Sequence, residues 1–588
     1  MKQFFKMMFA STLGVMLAMG IVVIISVSIL VGAVASMGSS PAYTPAANTV
    51  FKLKLSGVLA DNPSANPLSS LMGDEENTLS LKDVLQSIQT AKDNKNISGI
   101  YLQAGMLSTG SAGLESIRRA LSDFKESGKF IIAYGDYFTQ GDYYVCSIAD
   151  KIYMNPQGIL ELKGLASQTM FYTGLMKKVG VEMQIFKVGT YKGAVEPFML
   201  DKLSDANREQ IESYVNSIWG TLTTGIAEAR KVSAEDVNRY ANEGLALSNP
   251  EKSVELGFID ELKYKPEVED LVKEMAGQSG KELTSATVDQ MKSIPATTST
   301  KGPKVAILYA EGEIKPDAPS NMYDTESRIT EKLANELIKL KNDDDVKAVV
   351  LRVNSPGGNA FVAEQIWRQV VELKKMKPVV VSMGNYAASG GYYIACPASK
   401  IIAEPTTLTG SIGIFGMFPN VTGLMGKLDV TTDLVKTNTY SDLGDMSRPM
   451  NDGEKALMQA YVERGYQTFI NRCAEGRGMT TEAIDKIGQG RVWTGEQAKE
   501  IGLVDELGGI ELAVSTAAGL ANLDSYSVTH VSGNKDFLQE LIEKQLGTVK
   551  MSIVKSVLGD QYEYFQTLER VKTTYGIQAR IPYDMKPL

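Results

Sequence analysis

Ala348-Val349-Val350-Leu351-Arg352-Val353 runs into the turn Asn354-Ser355-Pro356-Gly357-Gly358, and Pro378-Val379-Val380-Val381-Ser382-Met383 runs towards the turn Ala387-Ala388-Ser389-Gly390-Gly391. These stretches decide the fold. Each apolar run is short and rich in β-branched residues, which predicts a buried strand. Ala363–Lys375 between them reads as a helix, and a second helix opens at the Ser-Gly-Gly turn. Strand, helix, strand and helix in succession mean an α/β domain built on a largely parallel sheet. Function in such sheets collects at the carboxyl ends of the strands, where both Gly-rich turns sit.

The pattern occurs twice. Gly141-Asp142-Tyr143-Tyr144-Val145 recurs as Gly390-Gly391-Tyr392-Tyr393-Ile394, an offset of 390 − 141 = 249. At the same offset Leu102 falls on Leu351, Glu115 on Glu364, Gly135 on Gly384, Lys187 on Lys436 and Tyr191 on Tyr440. Two tandem domains are therefore expected, at 48–275 and 304–546. A stretch rich in Ser, Thr, Gly and Lys at 276–303 reads as a linker, and a tail at 547–588 has no counterpart in the first copy. Leading into that tail, Phe537-Leu538, Leu541-Ile542 and Leu546 suggest a packing helix, with an oligomer contact as the alternative.

Bulk composition narrows the function. The 588 residues are 44% hydrophobic and 22% charged, as in a folded chain of several domains. A net charge of −9 argues against a nucleic-acid partner. Cys146, Cys396 and Cys473 have no zinc-site spacing and read as buried apolar fillers, so neither a metal nor a cofactor is expected. A single histidine, His530, stands near the end of the second copy, so imidazole chemistry has one residue to draw on.

Lys2 and Lys6 precede an uncharged, largely apolar run from Met7 to about Met37. A secretory signal has an apolar region of ~7–15 residues, whereas a helical span takes ~20. Residues 1–40 are therefore expected to be an uncleaved transmembrane anchor. Its lysines place the N-terminus in the cytoplasm and the body outside, in the periplasm or its equivalent. The competing expectation is a cleaved signal ending near Ala33-Val34-Ala35-Ser36.

Comparing the copies singles out the chemistry. Ser389 falls on Gln140, Gly357 and Gly358 fall on Ser108 and Thr109, and Ser411 falls on Leu162. The first copy thus keeps the fold-determining residues and lacks the serine, the glycine pair and the extra hydroxyl. Lys192 shows the reverse, falling on Ser441. The spacings 192 − 140 and 441 − 389 are both 52, so each copy has lost what the other kept. A serine at a helix start is first of all an N-cap, and a lone lysine is first of all a surface charge. Complementary loss favours a pair: Ser389 as nucleophile and Lys192 as general base, brought together where the copies meet. Burial there would lower the lysine from its free value of ~10.4 and leave it a lone pair. Ser411 could hold that amine, and the amides of Gly357, Gly358 and Gly390 could face an oxyanion.

Gly189-Thr190-Tyr191-Lys192-Gly193-Ala194-Val195-Glu196-Pro197-Phe198, the two Gly-rich turns and Thr409-Gly410-Ser411-Ile412-Gly413 together resemble the signal peptide peptidase A (protease IV) family in its long tandem form. The resemblance implies a ClpP/crotonase-like fold and a Ser389–Lys192 dyad. It further implies a homotetrameric, bowl-like assembly at the bacterial inner membrane that degrades signal peptides left after preprotein processing. The rival expectations are a general periplasmic peptidase, a crotonase-like acyl-CoA enzyme, and a non-catalytic membrane scaffold.

Overall fold

The computed structural model describes residues 43–62, 78–295, 302–317, 328–531 and 576–580, with isolated positions 6, 7, 12, 14, 16, 17 and 21 near the N-terminus. Among the described residues no helix is long and apolar enough to cross a membrane. The anchor expected at 1–40 lies largely outside them, as does the segment Phe537–Leu546.

In the second copy the strands Lys304–Glu311, Val346–Ser355 and Val379–Ala388 lie side by side and parallel, with Leu351 opposite both Leu308 and Val381. Leu351 and Val353 face one apolar cluster while Ala348 and Val350 face another. Burial on both faces explains why these strands read as unbroken apolar runs. The helix Ala360–Lys374 covers one face through Val362, Ile366, Trp367, Val370 and Leu373, one stripe at helical spacing. Asn359 caps it, accepting from the Val362 N–H at 3.0 Å, so it starts three residues before the expected Ala363.

The first copy repeats this plan. Its parallel sheet runs in the order Thr78–Ser80, Thr49–Ala60, Ile97–Ser108, Phe130–Phe138, Lys151–Leu160, Glu261–Leu262. Part of the stretch read as a linker belongs to this sheet: Ser285–Ala286 pairs with Val50 and Phe51, and Met291 in the helix Val288–Lys292 is wholly buried.

A third sheet joins the halves. Glu182–Lys187 of the first copy pairs antiparallel with Phe415–Asn420 of the second, from Lys187 opposite Phe415 to Glu182 opposite Asn420. This ladder carries the chain that follows Lys187 across onto the second domain. The sheet also takes in Gly576–Arg580, a strand of the C-terminal tail, between Phe415–Asn420 and Gly357–Asn359.

Candidate active site

The strand Val379–Ala388 delivers Ser389 to the domain boundary. Ser389 sits at φ 55°, ψ −114°, a region costly for a residue with a Cβ. Its backbone is pinned, with its N–H donating to Gly410 O and its carbonyl accepting from the Tyr393 N–H, both at 2.8 Å. The side chain makes no capping bond to the short helix Gly390–Ala395. The N-cap alternative therefore does not account for this serine.

Its hydroxyl is turned to Lys192. Lys192 Nζ lies 2.8 Å from Ser389 Oγ, 3.0 Å from Ser411 Oγ and 3.1 Å from the Ser411 carbonyl. All three side chains are 0% exposed. Burial, with no carboxylate among the described residues to oppose it, pushes the Lys192 amine well below the usual lysine range. The lysine and the serine come from the two halves of one and the same chain.

The loop that carries Lys192 is buttressed by residues the sequence comparison did not single out. Gln210, on the helix Asp205–Arg230, donates to the Tyr191 carbonyl at 2.8 Å and to Asn207 Oδ1 at 2.7 Å. Its own carbonyl oxygen accepts from the Val492 N–H of the second copy at 3.0 Å. Asn207 in turn donates to the buried Glu196 carboxylate at 2.8 Å. Two glycines make room for the lysine: a Cβ on Gly490 would meet its backbone at 2.6 Å, and one on Gly413 its Cδ at 3.2 Å.

The glycine loop borders the same place. Gly357 and Gly358 hold φ of 101° and 148°, which L side chains rarely adopt. The Gly357 N–H donates to Ser355 Oγ at 3.2 Å, so that amide is engaged within its own loop. A Cβ on Gly390 would lie 3.2 Å from the Gly358 nitrogen, which makes the amides of Gly358 and Gly390 neighbours. Gly357 contributes space instead, since a Cβ there would lie 2.8 Å from the Gly390 nitrogen.

His530 stands elsewhere. It lies on the edge strand Ser527–Val531, three strands beyond Val379–Ala388, and bonds Tyr309 Oη at 2.8 Å. Cys146, Cys396 and Cys473 are free and buried, in line with their reading as fillers.

Known proteins are similar to this chain in sequence. The peptidase family S49 model matches residues 123–280 and 371–524, and the Clp protease model matches 321–407. "Protease 4" of Salmonella typhi is 34% identical over 545 residues, covering 90% of this chain and 87% of its own. "Protease 4" of Haemophilus influenzae is 34% identical over 531 residues, covering 86% and 85%. "Serine protease SPPA, chloroplastic" of Arabidopsis thaliana is 31% identical over 510 residues, covering 86% and 74%. With two S49 matches along one chain and relatives that share most of its length, the protein is a serine protease of peptidase family S49, built as two tandem α/β domains.

Proposed function

We propose that Ser389 is the nucleophile and Lys192 the general base of a membrane-anchored endopeptidase that degrades cleaved signal peptides and similar apolar peptides. The observation that carries this reading is the 2.8 Å separation of Lys192 Nζ from Ser389 Oγ inside a site closed to solvent. A serine hydroxyl becomes a useful nucleophile only as its proton is taken. The depressed Lys192 amine is neutral at a pH where free lysine is an ammonium. Its N–H groups donate to Ser411 O and Oγ, which leaves the lone pair facing the Ser389 hydroxyl.

In the forward step Ser389 Oγ attacks the scissile carbonyl carbon while its proton passes to Lys192 Nζ. The developing oxyanion faces the amides of Gly358 and Gly390. Lys192 then returns the proton to the leaving amine, and a water repeats the sequence to release the acyl group. The amine gains base strength as pH rises through its lowered value, so kcat/KM climbs with pH along a limb below the ordinary lysine range.

Residues 1–40 are the anchor in this reading, holding the body on the periplasmic side of a bacterial inner membrane, where signal remnants are the nearest apolar peptides. A homotetramer fits the surface. The docked strand Glu182–Lys187 has its counterpart at 431–436, and there the second copy is exposed, with Val435 96% accessible. Leu434, Tyr440 and Met446 are exposed beside it. The counterpart of Phe415–Asn420, at 166–171, leaves Met170 exposed on the first copy. Each chain thus offers, on its two domains, both halves of the contact that already joins those domains. Such a head-to-tail contact closes into a ring where the rotation between neighbours closes and runs on as a filament where it does not.

A fluorophosphonate probe tests the reading. Labelling is expected on Ser389 in the full-length protein, and Lys192→Ala is expected to lose both labelling and peptide hydrolysis. Near-normal turnover in Lys192→Ala, with Ser389→Ala inactive, would sink the dyad.

A further inference from the structure

The loop that carries Lys192 is held onto the second domain by the segment 489–493. The Tyr191 N–H donates to the Gln489 carbonyl at 2.9 Å, which fixes the residue before the lysine. Arg491 adds a side-chain grip. Its guanidinium carbon lies over two rings, one from each domain, 4.8 Å from the Tyr191 centroid and 4.4 Å from that of Trp493. Both distances are within the range of cation–π attraction. Nη1 donates to Tyr191 Oη at 3.2 Å and stands 3.0 Å from Glu209 Oε1, while Tyr191 Oη donates to Glu209 Oε2 at 3.2 Å. Trp493 is itself fixed, donating from Nε1 to the Ile487 carbonyl at 2.9 Å and standing opposite Thr409 in an antiparallel pair.

The backbone of Arg491 serves the same amine from the other side. Its carbonyl accepts from the Ser411 N–H at 2.7 Å, and Ser411 in turn accepts from Lys192 Nζ through both of its oxygens. The repeat sharpens the assignment. Gly257-Phe258-Ile259-Asp260 matches Gly502-Leu503-Val504-Asp505 at an offset of 502 − 257 = 245, and at that offset Arg491 falls on Ala246 and Trp493 on Ser248. Tyr191 falls on Tyr440, which is exposed. The copy without a serine thus has neither the arginine nor the tryptophan, and the stack goes with the Ser389–Lys192 pair.

Resting on the reading of Ser389 and Lys192 given above, we propose that Arg491 is a positioning residue of the reaction. It clamps the lysine loop of the first domain to the second and so keeps the Lys192 amine closed from water and aimed at Ser389. Burial sets the base strength of that amine. A loosened clamp admits water, returns the amine towards the ordinary lysine range and moves the rising limb of the rate to higher pH. The effect falls on kcat and spares KM, because Arg491 acts on the base and not on the bound peptide.

The pH profile of the full-length protein in detergent, hydrolysing an added apolar peptide, tests this beside a thermal melt. In Arg491→Ala the limb is expected to move up by about one pH unit. At a pH on the limb kcat then falls about tenfold, and it recovers on the alkaline plateau with KM unchanged. Arg491→Lys keeps the charge and loses the flat stack, so its limb should move by less. Tyr191→Phe keeps the ring and removes the hydroxyl; with Arg491→Lys it carries the test if Arg491→Ala does not fold. A limb that stays at the wild-type position in these variants overturns the proposal, whatever the melt or KM does, and leaves the dyad standing. A wild type whose rate shows no such limb overturns both.

Discussion

The two domains end the same strand in different ways. In the first, Phe130–Phe138 leads to Thr139 at φ −64°, ψ 159°, whose hydroxyl caps the following helix by accepting from the Asp142 N–H at 3.0 Å. In the second, Val379–Ala388 leads to Ser389 at φ 55°, with no side-chain cap. The fold plainly accepts the relaxed turn. The second copy forgoes a cap worth about 0.5–2 kcal/mol and holds an unfavourable backbone as well. What it obtains is a hydroxyl aimed at the domain boundary instead of at its own helix.

The neighbouring loop differs in the same sense. In the first copy the Asp142 carboxylate accepts from the N–H groups of Met106 at 2.9 Å and Leu107 at 3.3 Å, which ties the loop to the helix start. At the equivalent positions the second copy has Gly391, Ser355 and Pro356. Gly391 has no side chain to tie with, and a Cβ there would meet the Ser355 carbonyl at 2.7 Å. Pro356 has no N–H to give. The loop is left open, and the Ala579 carbonyl enters the space beside it. A closed turn in one copy and an open one in the other set the two halves apart.

The largest effect should come from removing either half of the split pair. Ser389→Ala and Lys192→Ala are each expected to lower kcat by about 10⁴-fold or more, and the double variant to be no worse than the single ones, because groups acting as a unit are not additive. Losses that multiplied in a kinetic assay would show the two residues acting separately. Giving the second copy the tie of the first should cost less. Gly391→Asp forces the loop away from Ser355, and a misplacement of about 1 Å costs on the order of 10²-fold in kcat. Gly391→Ala, which adds the crowding without the carboxylate, separates strain from the tie when both are assayed beside a thermal melt.

The strand–helix order was legible because buried parallel strands need unbroken apolar runs, as at Ala348–Val353. Lys192 and Ser389 were legible through the repeat and through the motifs that carry the family resemblance, since neither residue stands out as a type. The rest depended on distances that no spacing records. Gln210 lies on a long helix and supports Tyr191 by one side-chain amide. Gly357 looks like an oxyanion donor in sequence, yet its N–H goes to Ser355 Oγ. Gly576–Arg580 is held by backbone pairing on both edges, which needs no alternating apolar pattern to betray it.

The smallest effect concerns the tie itself. Burial raises the Asp142 carboxyl to about 6, against the opposing bonds from Leu107 and Met106. A carboxyl raised in the folded state binds more protons folded than unfolded between its two values. Its contribution is therefore full below about pH 3.8 and is lost as pH rises through about 6. The loss is on the order of 3 kcal/mol. Asp142→Asn keeps an acceptor for one amide and removes the titration, so denaturant melts of this variant should show a flatter stability profile across that window. Asp142→Gly leaves both amides without their acceptor and should cost about 1–3 kcal/mol at the buried Leu107 amide, the Met106 amide being able to turn to water. Neither substitution should change kcat, because the first copy's turn touches no reacting atom. An altered kcat with an unaltered melt would mean that the closed turn still steers the open one across the domain boundary.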